Sequence, residues 1–395
     1  MKQLTKIING NIITPQRVIH HGTVIIRDGK ILDVTAGNPE TPGATVIDAG
    51  GRYISPGFID LHIHGGGGAD FMDATPEAFL TVANLHARYG TTAMVPTTLT
   101  AEKADLLRTL DSYAAALPLN TRGAAFLGIH MEGPYFAMSQ RGAQHPKYIR
   151  HPDAVEYQEI LDYSPHIVRW SIAPELPGAP EMGRHLRSRG ILPAIAHTDA
   201  IYDEVVTAYE SGFTLATHFY SAMSGVTRRN LFRHAGVIES VYLMDELDAE
   251  IIADGVHLPA ALLKLIYKIK GPDRIALITD AMRAAGMPPG PSILGPLHGG
   301  LDVIIEDEVA KLPDYSAFAG SVATTDRLVR NMIHLAGIPL VEAVRMMSLT
   351  PARIMGIAAQ KGSLSPGKDA DILLMDENIH VQWTMVNGRV VFNAL

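Results

Sequence analysis

No cysteine occurs among the 395 residues. That absence excludes disulfides and thiolate metal centres, so any metal here must be held by histidine and carboxylate. Long apolar runs are missing too. Nothing approaches the roughly 18 residues of a membrane span. The opening MKQLTKIINGNIITP also lacks the apolar core and small-residue cleavage site of a secretory signal. The expectation is a soluble, unprocessed, cytoplasmic protein with no membrane partner. Basic excess is absent as well: the net charge is −8, the pI is near 6.1, and no basic stripe alternates with aromatics, which argues against a nucleic-acid partner. What the chain does have is apolar bulk. At 47% hydrophobic it can bury a large core, enough for one big α/β barrel plus a smaller module.

Both ends of the chain have a β texture. IINGNIITP, GTVIIRDGKILDV and TVIDAGGRYI are short apolar runs punctuated by Asn-Gly, Asp-Gly and Gly-Gly, and KGSLSPGKDADILLMD and VQWTMVNGRVVF repeat the pattern at the other end. Chain termini often lie close together, so residues 1–54 and 358–395 are expected to form one small β-sandwich. Between them lie eight apolar strand candidates: FIDLHIH, TAMVPTT, AAFLGIHM, IVRWSIAP, ILPAIAHT, FTLATHF, AEIIADG and RIALITD. They are separated by helix-length segments such as PEAFLTVANLHARYG and PAALLKLIYKIKG. Continuous apolar strands alternating with helices predict a parallel sheet, and eight of them predict a closed (β/α)8 barrel over residues 55–357.

In such a barrel the catalytic groups sit at the C-terminal ends of the strands. His62 and His64 end the first run, Glu132 the third, His197 the fifth, His218 the sixth and Asp280 the eighth. Scattered core histidines would have no reason to share one rim. Residues two apart on a strand project to the same face, so His62 and His64 form a metal-binding pair, and the four glycines after them let the loop turn sharply and approach a ligand. Glu132 with His197 and His218 makes one carboxylate and two imidazoles, a zinc set that leaves a position open for water. Asp280 is a candidate to take a proton from that water and pass it to a leaving amine; a further ligand or a helix N-cap are its other readings. His257, just past the seventh run, is placed either to polarise a carbonyl or hold a substrate oxygen, or as a loop histidine. Arg228 and Arg229 fit phosphate recognition or simple solvated surface.

These motifs resemble the amidohydrolase superfamily and, within it, the N-acetylglucosamine-6-phosphate deacetylases. The likeness runs from IINGNIITP and PGFIDLHIHG through GIHMEGPYF with RGAQHP, AHTDA, ATHFYSAM, ADGVHLP, LITDAM and AGSVATTD to KGSLSPGKDADILLMD. The resemblance implies a divalent ion on Glu132, His197 and His218, with zinc the first choice and iron, cobalt or manganese the alternatives. It also implies a second metal position on His62 and His64 in members that bind two ions, and Asp280 as base and acid. His257 and Arg229 would contact an amino sugar phosphate, Gln144 or His145 would line its pocket, and the enzyme would be a homodimer. Two departures stand out. Ser221, followed by Ala222, occupies the place where the family has the asparagine that helps seat the phosphate, and SGVTRRNLFRHAG differs from the family's loop apart from Arg229. The fourth run has no lysine to bridge two metals, which disfavours cyclic-amide relatives and leaves Glu132 in that role. The expected reaction is removal of acetate from N-acetylglucosamine 6-phosphate. Its alternatives are the galactosamine isomer, another acylated amine or cyclic amide, and a non-catalytic scaffold.

Overall fold

The computed structural model describes residues 4–395; the side chain of Arg229, and with it the phosphate contact expected there, lies outside the described residues. Eight strands form a ring, one from each apolar run: β1 (Phe58–Ile63), β2 (Thr91–Pro96), β3 (Ile129–Glu132), β4 (Ile167–Ile172), β5 (Leu192–Ile195), β6 (Leu215–Ala216), β7 (Asp248–Ile251) and β8 (Ile275–Leu277). Parallel ladders join β1 to β2 and run unbroken from β3 to β8. A parallel bridge between Thr97 and His130 carries β2 to β3. The ring closes where the Asp280 amide donates to the His62 carbonyl and the His64 amide to that of Ala281, both at 2.9 Å.

Burial on both faces explains why the runs are continuously apolar instead of alternating: every residue of β1, β2, β5 and β8 is buried. A helix follows each strand, from Pro76–Ala87 after β1 to Thr325–His334 after β8. The first shows how sequence sets an end. Thr75 caps it by accepting from the Ala78 amide, and Pro76 takes the first helical position, where no amide donor is needed. The third apolar run is broken by Gly128, whose φ of +129° and whose approach to the His166 carbonyl, 2.8 Å from where a Cβ would stand, admit no side chain. Its first half, Ala125–Phe126, pairs with β2, and its second half is β3.

Beneath the rim the barrel interior is polar. Arg169 on β4 donates to both carboxylate oxygens of Glu250 on β7, to Thr217 Oγ1 at 2.7 Å and to the Leu61 carbonyl at 3.1 Å. Neither member of the pair has any exposure. Ser171 continues the network, 2.9 Å from Thr217 Oγ1 and 2.7 Å from His130 Nε2.

Strands from both termini share one eight-stranded sheet, joined where Tyr53–Pro56 pairs antiparallel with Ile372–Met375. The sheet folds back on itself. The Ala370 amide donates to the Gly29 carbonyl and the Ile31 amide to that of Lys368, around a cluster that includes Ile7, Ile54, Ile372 and Trp383. The two layers expected of a sandwich are thus parts of a single hydrogen-bonded sheet. Two further additions sit on the rim of the barrel. A hairpin of Thr227–Arg229 and Phe232–His234 follows β6, and a four-stranded antiparallel sheet (Gly290–Leu294, Leu301–Glu306, Val309–Lys311, Phe318–Ser321) is inserted after β8. The strand-and-helix alternation of the sequence did not disclose that insertion. No helix among the described residues is long and apolar enough to cross a membrane.

Candidate active site

The structure brings His62, His64, Glu132, His197, His218 and Asp280 together at the C-terminal mouth of the ring. Each is carried there by a strand end. His197, His218 and Asp280 all have left-handed backbone, with φ of +47°, +33° and +48°. That region is costly for non-glycine residues and persists only where surrounding contacts enforce it, a pattern that concentrates at functional sites. No helix begins at Asp280; the chain enters the inserted sheet first, which removes the N-cap reading.

Glu132 is the centre of the cluster. Its Oε1 lies 3.2 Å from His218 Nε2, 3.5 Å from His197 Nε2 and 3.3 Å from His62 Nε2, and its Oε2 is 3.4 Å from His64 Nε2. One carboxylate therefore serves two ligand groups, Glu132 with His197 and His218, and Glu132 with His62 and His64, each with its ligand atoms within 4.8 Å of one another. Asp280 Oδ1 is 3.1 Å from His64 Nε2 and 3.4 Å from His62 Nε2. The donor set of nitrogen and oxygen atoms converging on a common space suits a divalent cation. His197 is oriented for the same task, because its Nδ1 donates to the Gln140 carbonyl at 2.7 Å and leaves the Nε2 lone pair facing Glu132.

The electrostatics follow from crowding these groups out of water. Burial pushes His62 down to about 3, and the carboxylates of Glu132 and Asp280 only partly oppose it. Burial acts on His64 in the same sense, but its hydrogen bond to Asp280 and the charges of Glu132 and Asp280 outweigh it and raise His64 to about 9. The two Nε2 atoms lie 3.1 Å apart. Burial alone would raise the Glu132 and Asp280 carboxyls. The neighbouring imidazoles reverse that and hold both below the usual range.

A cavity of about 510 Å³ opens over the cluster, and Gln144, Ser221, Ala222 and His257 line it. His257 is held from behind: Asp254 accepts from its Nδ1 at 2.7 Å and from its backbone amide at 2.8 Å, which leaves Nε2 for a bound molecule. Gln144 is anchored at both ends of its amide. Nε2 donates to Glu132 Oε2 at 2.6 Å, and Oε1 accepts from the Thr100 amide at 2.9 Å. His145 lies elsewhere, capping a short turn through Nδ1 and lining a separate cavity. Arg228 is exposed on the hairpin.

Three features of the site went unread in the sequence. Asp254 carries its signal in the ADGVH stretch, three residues before His257, where a carboxylate reaches back to an imidazole. Arg141, exposed on the cavity wall, sits in the RGAQ stretch that also provides Gln144. Phe318 from the inserted sheet brings its ring to 4.8 Å from that of His257, a contact no local pattern announces.

Residues 53–391 match the model of the amidohydrolase family. The chain is similar to an N-acetylgalactosamine-6-phosphate deacetylase of Escherichia coli O157:H7, 34% identical over 92% of this chain and 93% of that one. It is 33% identical to an N-acetylglucosamine-6-phosphate deacetylase of Bacillus subtilis, over 96% of this chain and 95% of the other. Its fold is similar to the structure of an N-acetyl-D-glucosamine-6-phosphate deacetylase mutant from Mycobacterium smegmatis in complex with N-acetyl-D-glucosamine-6-phosphate, with a TM-score of 0.89, 31% identity, and coverage of 99% of this chain and 100% of that one. With a family match over most of its length and relatives of more than 30% identity covered almost end to end, the chain belongs to the amidohydrolase family, in its branch of N-acetyl amino sugar 6-phosphate deacetylases.

Proposed function

We propose that this protein hydrolyses the acetamide of N-acetylglucosamine 6-phosphate, giving glucosamine 6-phosphate and acetate. The observation that carries the reading is the convergence of four imidazoles on Glu132 with Asp280 beside them, at the floor of a cavity large enough for a sugar phosphate. Glu132, His197 and His218 would hold one divalent ion, and His62 and His64 with Glu132 a second. A divalent ion supplies Lewis-acid polarisation of a carbonyl and makes water more acidic.

The chain's own residues do the rest. Asp280, ionised by its imidazole neighbours, takes a proton from the attacking water and delivers it to the sugar nitrogen as the C–N bond breaks. His257, fixed by Asp254, offers Nε2 to a substrate oxygen. Ser221 and Ala222, which follow β6, line the side of the cavity assigned to the sugar phosphate, and Arg141 lines the cavity from the loop after β3. Gln144 acts through Glu132, holding its carboxylate in place.

Zinc suits the nitrogen and oxygen donors, with iron, cobalt or manganese as alternatives. A cytoplasmic homodimer completes the reading; Leu231 and Phe232, 83% and 75% exposed on the hairpin, are apolar surface for a second copy to cover. The galactosamine isomer is the second substrate reading, supported by the likeness to the Escherichia coli protein and by Ser221. Acetate release from N-acetylglucosamine 6-phosphate, its galactosamine isomer and unphosphorylated N-acetylglucosamine, with metal content and sedimentation measured on the same preparation, tests all of this. Preference for a phosphorylated sugar supports the reading. A metal-loaded protein inert on all three overturns it.

A further inference from the structure

In the eight-membered ring, β2 and β3 stand opposite β6 and β7. Ser221, Ala222 and His257 follow β6 and β7, whereas Leu99 and Gln144 follow β2 and β3. On the deacetylase reading, a sugar held on the first side would direct its amide inward to Glu132 and Asp280. The acyl tail beyond the carbonyl then points at the second side.

Behind that second side lies a separate cavity of about 130 Å³. Leu99, Ala143, Gln144 and Leu294 line both cavities and so form the partition. Gln144 is tied to Glu132 and to the Thr100 amide, and Ala143 has only a methyl group. The bulk of the wall is therefore the two leucines. Leu294 comes from the inserted sheet, and Leu99 reaches across to that sheet, its Cδ1 3.2 Å from where a side chain on Gly295 would begin. The rear chamber is several-fold larger than the roughly 10–15 Å³ that a single water-sized group needs.

We infer that Leu99 and Leu294 set the acyl-chain length this enzyme accepts: the wall admits acetyl and turns away longer acyl groups, which would fit the chamber behind it. This rests on the deacetylase reading above. The chemistry is the same for every chain length. Water oxygen bonds to the acyl carbon, the C–N bond breaks, the acyl group departs as its carboxylate, and the amine nitrogen gains a proton through Asp280.

The test uses N-acetyl, N-propionyl and N-butyryl glucosamine 6-phosphate with the metal-loaded full-length enzyme, its Leu99→Ala variant and its Leu294→Ala variant, read as kcat/KM for amine release. In the unaltered enzyme each added methylene is expected to cost at least about tenfold. In either variant, merging of the cavities raises the butyryl-to-acetyl ratio by at least about tenfold. Leu294 is 5% exposed and its loss is the more disruptive; Leu99 is half-buried, and Leu99→Ala keeps the test informative if the other variant fails to fold. An unchanged ratio in a folded, metal-loaded variant overturns the inference, as does an unaltered enzyme that takes butyryl as readily as acetyl. Failure to release amine from all three compounds sinks the deacetylase reading itself, a different result from acetyl turnover with no change in ratio.

Discussion

Asp280 and Gln144 touch the same cluster in different ways, and substitution separates them. Asp280→Asn keeps the side chain's size but cannot accept the proton of the attacking water. Turnover is expected to fall by roughly 10²–10⁴-fold, with metal content and substrate affinity largely retained; steady-state kinetics beside metal analysis would show it, and near-normal kcat would remove Asp280 from the proton path. Gln144→Leu takes away the 2.6 Å hydrogen bond to Glu132 and leaves the Thr100 amide without its acceptor. Losing such an outer contact typically costs about 10–100-fold in metal affinity, which competition with a chelator of known affinity would measure. The rim residues were legible because a single rule, polar groups at the ends of apolar strands, selects them. Gln144, Asp254 and Arg141 were harder to assign, since a loop gives no periodicity from which to tell where its side chains point.

Arg169 and Glu250 tie the barrel together at the level of its elements. Through Thr217 and the Leu61 carbonyl, the guanidinium links β4 and β7 to β6 and β1, each one residue from a candidate ligand, His218 and His62. Arg169→Met leaves the Glu250 carboxyl buried without its partner, a loss of about 3–5 kcal/mol. Denaturant unfolding should show most of that recovered in the Arg169→Met, Glu250→Leu double variant, because two apolar groups leave no orphaned carboxyl. A double variant as unstable as the single one would mean the pair is not the source of the loss. Each barrel strand was readable from its own apolar run. The sheet over residues 290–321 was not, because its strands are short and only partly buried and carry no continuous apolar run.

At the scale of the molecule, a cation held by Glu132, His197 and His218 at the ends of β3, β5 and β6 would bind the folded chain and not the unfolded one. Stripping it with a chelator should lower the melting temperature. At a hundredfold excess over its dissociation constant, a bound ion contributes about 2.7 kcal/mol, worth a few degrees in a chain of this size. Scanning calorimetry with and without chelator, followed by zinc, iron, cobalt or manganese add-back, measures it, and identical melting in both states would contradict a metal in the cluster. The sequence by itself determined the barrel, the terminal strands, the family resemblance and the residues of the rim, because hydrophobic period and strand-end position are local properties of the chain. Only the tertiary structure decided that Glu132 is shared between two histidine groups, that Asp254 holds His257, and that two leucines divide one cavity from another. The first and last of these join residues far apart in sequence and exist only once the ring has closed, and the second depends on a loop conformation that no periodicity announces.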